Sequence, residues 1–200
     1  MSYSQFTLDR VKTDFELTLE EGRALFPNPP ELSPSPLLQQ ILQVYLPLAL
    51  AINSEKARSE FILAPVLGDL KNQSDRPISL FSGKEFNVDS ERGLTGFCDF
   101  ILSKSKEQLF IEAPVLTIIE AKNEDIIGGL GQCAAAMIAA QTFNERRKQD
   151  VSQIYGSVTT GNIWRFLRLE NSTLTIDNDE YYIKELPKIL GILSLPFSES

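Results

Sequence analysis

Two short runs, Leu94 to Leu102 and Val115 to Ala121, place apolar residues on both faces of an extended chain: Phe97, Phe100, Ile101 and Leu102 in the first, Val115, Leu116, Ile118 and Ile119 in the second. Strands that are apolar on both faces must be covered on both sides, so the chain has to build a central sheet with a layer above it and a layer below. Asp99 lies in the first run, and the second ends in Glu120-Ala121-Lys122. Side chains at i and i+2 of a strand share a face, so Glu120 and Lys122 point together. Charge in such strands is costly unless it is paired or coordinates something.

The surrounding sequence supplies the covering layers. Thr18-Leu19-Glu20-Glu21 reads as the capping box of a short helix ending near Phe26 and stopped by Pro27-Asn28-Pro29-Pro30, within a wrapping segment over 1–36. Leu37 to Ile52 follows Ser33-Pro34-Ser35-Pro36 and reads as a buried helix. A second helix runs from Glu55 to about Leu70, with Pro65 marking a kink or an early end. Further extended segments are expected at 79–81, 84–88, 153–159, 163–169 and 173–176. Asp125 caps a helix from Ile126 to about Lys148, and a last helix covers Ile183 to Ser194. The expectation is an α/β fold, a mixed central sheet flanked by helices, in one unit over 1–200. The motif-bearing core is expected over 37–150, with C-terminal strands and a helix over 151–200.

Composition removes several kinds of chemistry. The chain has no histidine, which excludes Ser-His-Asp and Cys-His catalysis and His-ligated zinc and leaves carboxylates and lysine. Cys98 and Cys133 have no CxxC spacing and read as small buried packing residues. A net charge of −8 argues against a broad basic surface, so any polyanion contact must be local. The candidate patches are Arg146-Arg147-Lys148, Arg165 with Arg168, and Lys184 with Lys188. Gly128-Gly129-Leu130-Gly131 is neither a P-loop nor a dinucleotide fingerprint. No stretch approaches the roughly 20 uncharged apolar residues of a membrane span, and the start lacks a leader pattern, so a cytoplasmic protein with no membrane partner is expected. Trp164 and Phe166 read as core or dimer-face residues rather than a base-stacking platform.

Asp99 and Glu120, brought close on adjacent strands, would hold a divalent metal with the carbonyl of Ala121 as a further ligand, and Lys122 would orient or deprotonate a water. That set suits phosphodiester hydrolysis, which needs an in-line water and neutralisation of charge on the phosphorane. The bland reading of Asp99, Glu120 and Lys122 is a salt bridge at a sheet edge.

An Asp followed about 20 residues later by Glu-x-Lys resembles the PD-(D/E)XK nuclease superfamily, restriction endonuclease-like, over roughly Glu55 to Gln141. Within it, Ser54-Glu55-Lys56-Ala57-Arg58-Ser59-Glu60 with Ile62 and Pro65 is similar to the amino-terminal nuclease module of type I restriction motor subunits and of small bacterial relatives. Cys98 stands where that superfamily commonly has a proline before the Asp. The resemblance implies a nuclease acting on DNA, with RNA as the other substrate, and Mg²⁺ or Mn²⁺ as cofactor. It implies Glu60, with Glu55 as the alternative, as a further metal ligand, and Gln132 as a polar site residue. Arg58, three residues after Glu55 on the helix, would pair with it on the surface and release Glu60 for the site. It also implies a homodimer, built on the Leu37 to Ile52 helix or the hairpin near Trp164. A catalytically silent domain of the same fold, used as a binding or assembly module, is the alternative function.

Overall fold

A computed structural model describes residues 2–198; Met1, Glu199 and Ser200, which the expected 1–200 unit includes, lie outside the described residues. The strands are β1 (Thr18–Glu20), β2 (Ser79–Glu85), β3 (Phe97–Ser103), β4 (Val115–Ala121), β5 (Gln153–Thr159), β6 (Ile163–Glu170), β7 (Thr173–Ile176) and β8 (Tyr181–Tyr182). They form one 8-stranded sheet in the order β1-β7-β6-β5-β4-β3-β2, with β8 also on β6. β2, β3 and β4 make an antiparallel meander, and β4 runs parallel to β5. A parallel neighbour requires a crossover, and the helix α5 (Ile126–Arg146) supplies it.

The remaining helices are α1 (Leu8–Asp14), α2 (Pro36–Ile52), α3 (Glu55–Arg58), α4 (Ala64–Gln73) and α6 (Leu186–Ser198). On one face of the sheet, Cys133, Ala134 and Met137 of α5 pack with Ile101, Ile118, Val158 and Leu167. On the other, Leu38 of α2, Leu67 of α4 and Leu190 of α6 pack with Phe100, Ile119 and Phe166. β4 is buried at every position. This is the mixed α/β sheet, covered on both sides, that the doubly apolar runs require. Trp164 and Phe166 are 0% and 2% exposed, which places both in the core.

Four local expectations are corrected. Thr18–Glu20 is a strand rather than a helix start, because it finds a parallel partner in β7, Thr18 against Thr173 through Glu20 against Thr175. Backbone pairing along an open sheet edge outweighs a local capping signal. The helix of this segment lies earlier, at α1, where Thr7 caps the amide of Arg10. The Leu37 to Ile52 helix exists as α2 but is not buried on all sides: Leu38, Leu42 and Ala49 are buried in the core, Leu46 packs half-buried against it, and the rest of the helix is more open. The helix from Glu55 is interrupted by a π segment, Ser59–Leu63, in which Ala64 N–H donates to Ser59 O; Pro65 has no N–H to continue a regular ladder, and the wider turn precedes it. Finally, the helix Ile126–Arg146 is long and apolar enough, by length and composition alone, to cross a membrane, but 67% of its apolar 18-residue stretch is buried inside the fold, where it covers the sheet.

The first residues of the chain pack on the α5 side of the sheet. Tyr3, Phe6 and Val11 are buried against the α5 face, and the chain crosses α5 at Gly131, where a Cβ would lie 2.4 Å from Phe6 O and 2.7 Å from Leu8 N. Gly131→Ala is therefore expected to destabilise the protein by about 2 kcal/mol or more and to speed proteolysis before residue 15. Gly68→Ala in α4, where a Cβ meets nothing within 4 Å, is expected to stabilise it by about 0.5–1 kcal/mol. Urea unfolding followed through Trp164 fluorescence measures both.

Candidate functional site

The site is built where two strands part. β3 and β4 are paired from Ser103 and Val115 up to Phe100 and Ile119, and their ladder stops there. β4 continues beside β5, with Glu120 opposite Val158 and Ala121 opposite Thr159, and Lys122 N–H donates to Thr159 O at 2.8 Å. On the β3 side the amide of Ala121 has lost its backbone acceptor, and Asp99 Oδ2 accepts it instead at 2.8 Å. On its other side Asp99 stands across from Gly83, whose φ of 57° suits glycine; the β2–β3 register passes over this pair, from Ser82 with Phe100 to Lys84 with Cys98.

Glu120 is 0% exposed. Its Oε2 accepts from Gln132 Nε2 at 2.7 Å, while its Oε1 is buried with no hydrogen-bond partner. Burial first, then the negative charge of Asp99, pushes its carboxyl well above the ordinary range; Lys122 opposes this, and contact with the Asp99 carboxyl and the charge of Glu55 add to the rise. Lys122 Nζ donates to Gln132 Oε1 at 3.0 Å and stands 4.0 Å from Glu120 Oε2. The Gln132 amide therefore bridges the ammonium and the carboxylate, its oxygen toward one and its nitrogen toward the other.

Gly129 makes room for this arrangement. A Cβ there would lie 3.0 Å from Lys122 Cγ, 3.1 Å from Lys122 Cε and 2.6 Å from Val158 Cγ1, so the lysine stem runs through a slot that a side chain at position 129 would close. Asp125 caps that helix, Oδ1 accepting from Gly128 N–H at 2.8 Å. Within the Gly-rich start of α5, Gly129 thus serves packing around Lys122, a role that its sequence did not disclose beyond excluding nucleotide fingerprints.

A cleft of about 290 Å³ opens between Glu55, Ser59 and Glu60 on one side and Gly83, Asp99 and Ala121 on the other. Both candidate helix acids line it. Glu60 is engaged with Lys56, Nζ to Oε1 2.6 Å, whereas the charge of Glu55 acts on Glu120. The expected surface pair of Glu55 with Arg58 does not form. Arg58 turns inward, 9% exposed, and donates to Thr160 O at 2.6 Å and Asn53 Oδ1 at 2.7 Å, because the carbonyl of the β5–β6 turn lies beneath α3. Asp99, Glu120, Lys122 and Gln132 are brought together; Arg146, by contrast, is tied to Asp89, Arg165 Nε donates to Asp177 O and Lys188 pairs with Glu185. Cys98 and Cys133 are free and buried, and burial pushes both thiols well up, which makes them inert packing groups.

Among the described residues no group of three or more His, Cys, Asp and Glu is placed to hold a metal ion. The donors present are two carboxylates at the parting of the strands, of which one oxygen, Glu120 Oε1, is buried without a partner. Hard oxygen donors and an orphaned buried carboxylate oxygen fit a small divalent cation that keeps several waters. No family model matches this chain, and neither a curated protein nor a solved structure does.

The raised ionisation of Glu120 has a signed consequence. Above the ordinary value of 4.5 the unfolded chain releases a proton that burial disfavours releasing in the native protein, so native stability falls as pH rises through that range. Without metal, Glu120→Gln is expected to melt higher than the natural protein at pH 8, by a few degrees for about 1 kcal/mol, and the difference should shrink toward pH 4. Melting in chelator at the two pH values checks this; a Gln variant less stable at pH 8 contradicts it.

Proposed function

We propose that the chain is a divalent-metal-dependent nuclease that hydrolyses phosphodiester bonds of DNA. The observation that carries this reading is the convergence of Asp99, Glu120, Lys122 and Gln132 at the point where β3 leaves β4. The order of elements supports it: a helix from Glu55, an antiparallel meander bearing the Asp and the Glu-x-Lys, then a helix and a parallel strand. That order agrees with the restriction endonuclease-like core that the sequence resembles.

Mg²⁺ or Mn²⁺ would be held by Asp99, Glu120 and the carbonyl of Ala121, with Glu55 or Glu60 reaching it across the cleft. Bound there, such an ion supplies charge neutralisation at the phosphate and a more acidic water. The chain's own groups do the rest. Asp99 and Glu120 bring paired negative charge to one point, which a cation offsets. Gln132 fixes the carboxylate with its nitrogen and the ammonium with its oxygen. Lys122, 20% exposed, has a donor to offer a non-bridging phosphate oxygen as negative charge builds there. Lys56, the cation in the cleft's lining, is paired with Glu60 and the chain carries −8, which suits a local grip on one phosphodiester rather than on a long duplex. A DNA substrate and reduced, buried thiols both suit the cytoplasm.

One observation favours the alternative, a silent domain used for assembly: among the described residues no third ligating side chain joins Asp99 and Glu120 in a ready-made group. Cleavage of supercoiled plasmid and of single-stranded DNA in Mg²⁺ and in Mn²⁺, with Lys122→Ala prepared in parallel, separates the two. The nuclease reading expects metal-dependent cutting that falls by about 100-fold or more in the variant. Equal cutting by both proteins, or none by either, would favour the assembly reading.

A further inference from the structure

α2 is only half used by the fold. Leu38, Leu42 and Ala49 face the core, while Leu37, Val44, Tyr45, Leu48 and Ile52 are 61%, 65%, 40%, 43% and 50% exposed, with Ile41 half-buried beside them. At 3.6 residues per turn these six side chains fall in an arc about 100° wide, beside the buried face. Along the helix they are separated by 4, 3, 1, 3 and 4 residues, a spacing that reads the same from either end.

We infer that this face of α2 is the interface of a two-fold, antiparallel dimer of the chain. Laid antiparallel on a second copy, the stripe matches itself at every step: Leu37 meets Ile52, Ile41 meets Leu48, and Val44 meets Tyr45, each pair formed twice about the axis. Such self-matching is the condition of an isologous contact, and a foreign partner gives no reason for it. Charge points the same way. The 17 residues of α2 include no Asp, Glu, Lys or Arg, whereas the chain as a whole carries −8, so this face lets two copies approach without local repulsion. The six side chains offer on the order of 500 Å² per copy, against the roughly 800 Å² per partner of a standard interface. Exposed Gln40, Gln43 and Pro47 extend the face toward that size.

The stripe is also held in shape before any partner arrives. The Tyr45 ring stacks on Phe61, centroids 5.2 Å apart and planes 9° apart, and Phe61 belongs to the π segment that carries Glu60 at the cleft. The inference does not depend on the nuclease reading; a silent assembly domain would use the same face.

Sedimentation velocity across about 1–100 μM, the range that spans micromolar dissociation constants, tests it. The natural chain is expected to sediment at twice its 22.4 kDa, and Val44→Glu, a change at an exposed position, at the mass of one chain with an unchanged circular dichroism spectrum. Because Cys98 and Cys133 are buried, Val44→Cys adds a single accessible thiol, expected to give a covalent dimer under mild oxidation. Gln39→Cys, off the stripe, is expected to give none. A natural chain that is monomeric throughout, a dimer that survives Val44→Glu, or equal cross-linking at both positions would overturn the proposal. So would a monomer that instead adsorbs through this face to lipid vesicles.

Discussion

The buried carboxylate of Glu120 is the group around which the rest of the site is arranged. An acid at 0% exposure on a strand buried along its whole length is expensive to ionise, and the fold gives it one hydrogen bond, from Gln132, and one distant ammonium, from Lys122. Its second oxygen has no partner. Asp99 lies against it and raises rather than relieves the electrostatic cost. A structural salt bridge at a sheet edge would be arranged the other way, with the cation close and the acid partly wet. Two acids held together at the parting of two strands, with Lys122 occupied by an amide, are the arrangement on which the proposed cation site rests.

Several features far apart in the sequence serve that arrangement. The crossover through α5 brings Gln132 over the end of β4, and Gly129 leaves the slot in which Lys122 runs. Gly131 lets the N-terminal segment lie flat on the same helix, which seals the face on which Glu120 is buried. Gly83 opposite Asp99 allows the edge strand to turn at the cleft. On the far side, Arg58 bonds the β5–β6 turn and so fixes the helix start from which Glu55 reaches the cleft.

Much of this was legible in the sequence, and the exceptions have physical causes. The doubly apolar runs fixed β3 and β4 because strands covered on both sides leave no freedom in which face is polar. β4, β5 and β7 occur with the bounds their patterns indicate. Strand alternation put Glu120 and Lys122 on one face, and Gln132 was added by the resemblance alone; in the structure the α5 crossover carries it over the end of β4. The role of Thr18–Glu20 depended on a partner strand more than 150 residues away, which local signals cannot register. The exposure of α2 was illegible because a helix apolar nearly all round reads alike whether its outer face meets core or a second chain. Arg58 was misplaced because pairing at three residues' separation is a surface argument, and a carbonyl beneath the helix proved the better acceptor. Gly129 showed no signal apart from its lack of a side chain, whose value appears only once Lys122 is in place.

The most direct measurement is calorimetric titration of Mn²⁺ into the natural chain and into Asp99→Asn, both stripped of metal and checked for native melting. If Asp99 and Glu120 share a cation, the natural chain binds Mn²⁺ at one site and the variant loses that binding. Binding of equal strength in both proteins, or none in the natural chain at millimolar Mn²⁺, would contradict the account.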